Sequence, residues 1–193
     1  MDILKIIFFA IFINNVVLSQ FLGIRPIHSE LNNFSSSIRM SGIMTFVLIL
    51  ANILIYFIQK YILIPIQIQF LQTLLFIIVI IIVSKIFEIA IKKISFKYFQ
   101  KHTNYFSMIA TNSIVLGVCL LTYNSDLSFN LLQSIIYTLS AAAGYTLVLI
   151  ILTGINDHLE LTRVPKGMRG IPILLITLGL LSLAFMGLTG IIK

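Results

Sequence analysis

Charge is what this sequence has least of. Only 10% of its 193 residues are Asp, Glu, Lys or Arg, against about 25% in soluble domains. With 59% hydrophobic residues and a mean hydropathy of +1.09, the composition is that of a membrane protein, and the length fits one compact bundle, a single membrane domain over 1–193. Cysteine is nearly absent as well. Cys119 alone excludes an intramolecular disulfide framework and gives no self-contained metal–thiolate site. The glycine loops, carboxylate pairs and His/Cys spacings of soluble enzymes are missing. A cleavable signal peptide is not expected, because the apolar stretch 3–23 is too long for one and no small-residue cleavage pattern follows. The net charge of +7 would suit nucleic acid. The basic residues, however, sit at the ends of apolar runs rather than along a soluble face, which points to a lipid bilayer and not to nucleic acid.

What is present is apolar sequence in runs of membrane-crossing length, for which about 20 residues are needed. Six such runs lie near 3–23, 38–59, 70–91, 105–121, 130–153 and 170–192. The fourth is the shortest and is expected to be irregular or to stop partway. The connections at 60–69 (with Pro65), 122–129 (with Asn124 and Asp126) and 154–169 (with Gly154, Pro165 and Gly167) read as turns. Six crossings place both termini on one side. Cytoplasmic loops carry an excess of Lys and Arg. One face would hold Arg25, Arg39, Lys92, Lys93, Lys97, Lys101, Arg163, Lys166 and Arg169, and the other only Lys5, Lys60 and Lys193. The first, third and fifth connections are therefore expected in the cytoplasm and both termini outside.

Polar groups inside these runs are few enough to name. Asn14 and Asn15 interrupt the first run, and Thr111, Asn112 and Ser113 the fourth. Asn15 and Asn112 are 97 residues apart (112 − 15), about half the chain. An amide in hydrocarbon without a partner costs about 2–7 kcal/mol, so its placement at one point in each half suggests a duplication around a polar centre. Two readings stand side by side: hydrogen-bonded glue between helices, and a site at a repeat interface where spans are broken. Lys85 and Glu88, at i and i+3, share a helix face and can pair. Glu88 is the better functional candidate, since Lys85 can extend to the interface. Gly179, Gly187 and Gly190, and the run Ala141-Ala142-Ala143-Gly144, permit close helix packing. His28, His102 and His158 fall in loops without partners at ligand spacing, and Cys119 reads as a small buried hydrophobe.

Several stretches together are specific: Asn14-Asn15 through Phe21-Leu22-Gly23-Ile24, Leu63-Ile64-Pro65, Thr111-Asn112 with Val115-Leu116-Gly117, Val164-Pro165, Arg169-Gly170-Ile171-Pro172-Ile173, and Leu181 through Gly187. End to end the chain resembles the A-type membrane subunits of Rnf electron-transport complexes, and less closely the E-type member of the sodium-pumping quinone reductase. The resemblance implies an all-α integral membrane fold of six spans in two inverted three-helix repeats, near 1–97 and 98–193, with the first and fourth spans the places for a break. It implies a bacterial inner-membrane location with external termini, a homologous E-type partner of opposite orientation, other Rnf subunits, and coupling of electron transfer to Na⁺ or H⁺ movement.

It also implies an intramembrane [2Fe–2S] cluster. Two of its thiolates come from a cysteine in a Leu-Gly-x-Cys-Pro stretch and one in Thr-Asn-Cys; the partner adds two. This sequence has Arg25 at the first position and Ser113 at the second. A guanidinium has no lone pair for a metal, and thiolates are the usual ligands of such clusters. Cys119 is a poor substitute, six residues and about 9 Å along a helix from Ser113, on a different face. The ordinary cluster is therefore not expected to form, and this chain alone binds no cofactor. The leading reading is a subunit of the ion-translocating complex rather than a catalyst alone; the alternative is a non-redox scaffold of that complex. An independent transporter built on the asparagines and Glu88 is the third.

Overall fold

The computed structural model describes residues 3–23, 34–94, 112–124, 129–162 and 164–188. Arg25 and Thr111 lie outside them, as do Lys97, Lys101, Arg163 and Lys193 among the cations expected to set topology. Every regular element among the described residues is helical. The α-helices are α1 (Ile3–Phe8), α2 (Val16–Gln20), α3 (Phe34–Ile58), α4 (Ile64–Ile66), α5 (Gln72–Ile94), α6 (Ser113–Asn124), α7 (Leu131–Leu161) and α8 (Ile171–Met186). Two π-turns, Phe9–Ile13 and Gln59–Leu63, extend α1 and α3.

Each of the six expected runs contains an apolar helix, and their lengths fall into two classes. Ser37–Ile66, Gln69–Ile94 and Leu131–Leu159 are long and apolar enough to cross a membrane, whereas Ile3–Ile13, Ser113–Tyr123 and Ile171–Met186 are shorter. The first run breaks at Asn14-Asn15, where the sequence places the break. The helix of the fourth starts directly after Asn112.

Two connections are shorter than expected. Residues 59–66 are helical, because the π-turn passes the Ile64 N–H to the carbonyl of Gln59, five residues back. Pro65 lacks an N–H and its ring presses on the carbonyl four residues before it; the looser turn just ahead accommodates it. The chain turns instead at Gln67, in the left-handed region at φ 57°. Likewise α7 continues through Gly154 to Leu161, so only the second half of 154–169 connects.

The chain forms two compact units, residues 1–42 with 139–193, and residues 43–138. In the first, Ile6, Ala10, Val17, Tyr145, Leu149 and Leu178 are among the buried core. Its last helix is tied to the first run by Ser182 Oγ, which donates to Leu18 O at 2.8 Å, and by Phe12 and Phe185, stacked at 6.3 Å. Ser37 and Thr153 hydroxyls meet at 2.9 Å. In the second, Met44, Leu48, Phe76, Ile114, Val118 and Cys119 are buried, and Phe76 meets Tyr123 edge-on at 5.8 Å. Apart from Lys85, Glu88 and the terminal Lys92 and Lys93, helix α5 is apolar nearly all round: Ile77, Ile78, Ile81, Ile82, Ile86 and Ile89 are exposed. A helix apolar all round belongs in lipid or in a large protein core.

Candidate functional site

In the first unit, the end of α1 and its π-turn leaves carbonyls without helical partners, and the start of α2 leaves N–H groups without acceptors. Asn15 answers both. Its backbone is extended (φ −65°, ψ 115°), which ends one helix and caps the next. Side-chain Oδ1 accepts from Val17 N at 3.1 Å. Nδ2 donates to Ile11 O at 2.9 Å and, across to α7, to Gly144 O at 3.0 Å. The residue is 1% exposed, so no solvent shares these duties. Asn14 is half-buried beside it, its Oδ1 3.2 Å from Ser19 Oγ.

Gly144 is there for closeness. A Cβ on it would lie 2.9 Å from Asn15 Nδ2 and 3.3 Å from Ala10 O. Alanine in a helix interior is ordinarily favoured over glycine by about 1 kcal/mol, but overpacking costs about 1–3 kcal/mol and the Asn15–Gly144 bond is lost with it. Gly144→Ala is therefore expected to destabilise the protein by about 1–3 kcal/mol, read as a lowered melting temperature in detergent; a raised one would contradict the contact.

In the second unit Asn112 repeats the cap. Its Oδ1 accepts from Ile114 N at 3.0 Å, two residues on as in Asn15, and it is 5% exposed. Its Nδ2 points to Met44 Sδ on α3 at 3.6 Å. Sulfur is a weak acceptor, so this amide is held less firmly. Each asparagine thus reaches the long helix of the other half of the sequence. Ser113, the first residue of α6, is exposed, while Cys119 is fully buried. Among the described residues no group of three or more His, Cys, Asp or Glu converges.

Glu88 stands apart from both caps. It accepts from Lys85 Nζ at 2.7 Å on the same face of α5, with Lys85 exposed and Glu88 about a quarter exposed. No described hydrogen bond joins it to either asparagine.

A third buried amide escapes the sequence reading. Asn52 in α3 is 1% exposed, and its Nδ2 lies 2.7 Å from Ser134 Oγ and 2.6 Å from Thr138 Oγ1. Tyr123 OH is 3.1 Å from both Asn52 O and Ser134 Oγ. Oδ1 of Asn52 is buried with no partner among the described residues. The signal was present: Ser134 and Thr138 are 97 residues beyond Ser37 and Ser41, the spacing that separates Asn15 from Asn112.

The chain matches, over residues 3–192, the family described as Rnf-Nqr subunits, membrane proteins. It is 42% identical over 181 residues to the A-type member of the ion-translocating oxidoreductase complex of Glaesserella parasuis serovar 5, with 94% of this chain and 93% of that protein covered. The corresponding protein of Actinobacillus pleuropneumoniae serotype 5b is 40% identical over 192 residues, covering 100% and 98%. A third relative, from Acetobacterium woodii, is 38% identical over 190 residues, with 98% of each chain covered. Its name makes it the A-type member of a Na(+)-translocating ferredoxin:NAD(+) oxidoreductase complex.

Proposed function

We infer from one premise, that this chain belongs to the Rnf-Nqr family of membrane subunits, that it serves as the A-type membrane subunit of an ion-translocating electron-transport complex. One observation carries this: 40% identity over all of this chain and 98% of an A-type relative. The complex couples electron transfer to movement of Na⁺ or H⁺ across the bacterial inner membrane. Around this chain it places a homologous E-type membrane subunit, with both termini of this chain external, as the basic residues favour.

The two halves of the chain form inverted repeats in this reading. Three pairs at the 97-residue spacing support it: Asn15 with Asn112, Ser37 with Ser134, and Ser41 with Thr138. So does the shared cap geometry, Oδ1 to the N–H two residues on. Spans broken at buried amides present helix ends, with their partial charges, inside the membrane. That is the contribution these residues make to an ion path.

The residues present do not fit the family's iron–sulfur cluster. Ser113 offers a hydroxyl, not a thiolate, and Cys119 is fully buried in the apolar core further along α6. Arg25 has no lone pair to offer wherever it lies. The chain therefore takes part without ligating a cluster, and either electrons take another route or the chain serves as scaffold.

Iron and sulfide analysis with low-temperature EPR, on the chain purified with its membrane partners, tests both statements. The expected result is a homologous membrane subunit in the preparation and no reducible cluster assignable to the pair. A cluster signal from the pair would overturn the ligand argument; a chain that purifies without any such partner would overturn the role itself.

A further inference from the structure

The second unit holds a cavity of about 240 Å³ that the proposed role does not use. Its walls include Tyr56, Gln59, Lys60 and Ile64 from the end of α3 through the π-turn to α4, Tyr123 from the end of α6, and Phe129. We propose that this cavity binds the headgroup of an anionic phospholipid of the phosphatidylglycerol type.

One cation defines the ligand. Lys60 is a cation paired with no carboxylate among the described residues; its Nζ lies 5.8 Å from the ring centroids of both Tyr56 and Tyr61. Those aromatic faces hold the ammonium at the cavity, where it can donate to an anion. The occupant that completes Lys60 is therefore an acceptor anion. A glycerol headgroup leaves that anion uncompensated, whereas an ethanolamine or choline headgroup sets a second cation next to Lys60.

The surroundings fit a headgroup rather than a whole soluble molecule. The cavity is smaller than the roughly 300–1,000 Å³ of ordinary small-molecule sites. The wall residue Ile64 and, in the same segment, Leu54, Phe57 and Tyr61 are exposed apolar side chains that form a stripe, with Phe57 and Tyr61 stacked at 6.2 Å. Acyl chains can lie along that stripe while the head enters the cavity. The π-turn itself is a device found often at functional sites. Here it spans Gln59–Leu63, so Lys60 lies within it.

The test is native mass spectrometry of the full chain in detergent, titrated in separate arms with dihexanoyl phosphatidylglycerol, phosphatidylethanolamine, phosphatidylcholine and inorganic phosphate. Phosphatidylglycerol is expected to bind once per chain, about tenfold or more tighter than phosphatidylcholine, the factor set by a charge-assisted hydrogen bond. Lys60→Met should weaken phosphatidylglycerol by a similar factor, while Lys60→Arg keeps it. Equal binding of all three lipids, tightest binding of the ethanolamine lipid, inorganic phosphate binding as tightly as phosphatidylglycerol, or a Lys60→Met chain with unchanged affinity would each overturn the proposal. Failure here leaves the role in the electron-transport complex untouched, because neither rests on the other.

Discussion

Replacing Asn15 with leucine is expected to destabilise the protein by about 2–6 kcal/mol, about twice the effect of the same change at Asn112. Leucine matches the volume but supplies no polar atom. Ile11 O and Val17 N, each bonded by Asn15, are then buried without partners, at about 1–3 kcal/mol apiece. In a bilayer no water can replace the lost bonds. At Asn112 the same change orphans Ile114 N alone and gives up a weak contact to sulfur, so about 1–3 kcal/mol is expected. Denaturant titration of both variants in mixed micelles compares them directly. Equal midpoints would show that the two caps, alike in geometry, share a function that the Gly144 bond does not distinguish.

Arg25→Cys combined with Ser113→Cys is expected to add iron to a membrane pair proposed here to hold no cluster, and neither single change should do so. A [2Fe–2S] cluster takes four thiolates, so the effect of the pair should be all-or-none and far from additive. Ser113 is the first residue of α6 and exposed. A cysteine there sits at a helix N-terminus, where the dipole lowers a thiol's pKa toward the ligating thiolate. Iron and acid-labile sulfide per complex, measured across the wild type, both singles and the double, give the answer. Iron in either single variant would refute the four-thiolate argument. No iron in the double would favour the scaffold reading, in which the geometry around these positions has changed along with the residues.

The broken first span and the capped start of the fourth were legible because asparagine pairs poorly with hydrocarbon, and two stand at matching places. Asn52 carries the same chemistry but has no polar counterpart 97 residues on, where Leu149 stands, and the repeat shows only in its partners, since Ser134 and Thr138 match Ser37 and Ser41. Its meaning comes from Ser134, Thr138 and Tyr123, which only the fold brings to it. The ends of the long helices were misjudged for a related reason. Pro65 and Gly154 are stop signals where water competes for the backbone. In lipid the helix keeps its own hydrogen bonds, and both residues are tolerated within spans. Glu88 reads as a functional candidate from depth alone, and the pairing with Lys85 that the i, i+3 spacing allows is present in the fold. Arg25 and Thr111 lie outside the described residues, so the first cluster position remains a matter of side-chain chemistry.

The two π-turns carry a consequence for how this chain is aligned with its relatives. A turn whose hydrogen bonds skip five residues holds one residue more than the α-ladder around it. At 3.6 residues per turn, about 100° per residue, that one residue rotates everything downstream to a new azimuth. Phe9–Ile13 sits just before Asn14, and Gln59–Leu63 just before Pro65. A relative lacking one residue in either window would keep the same helix, but the side chains beyond it would face a different neighbour. In these two windows a single-residue gap is a change of facing rather than of length.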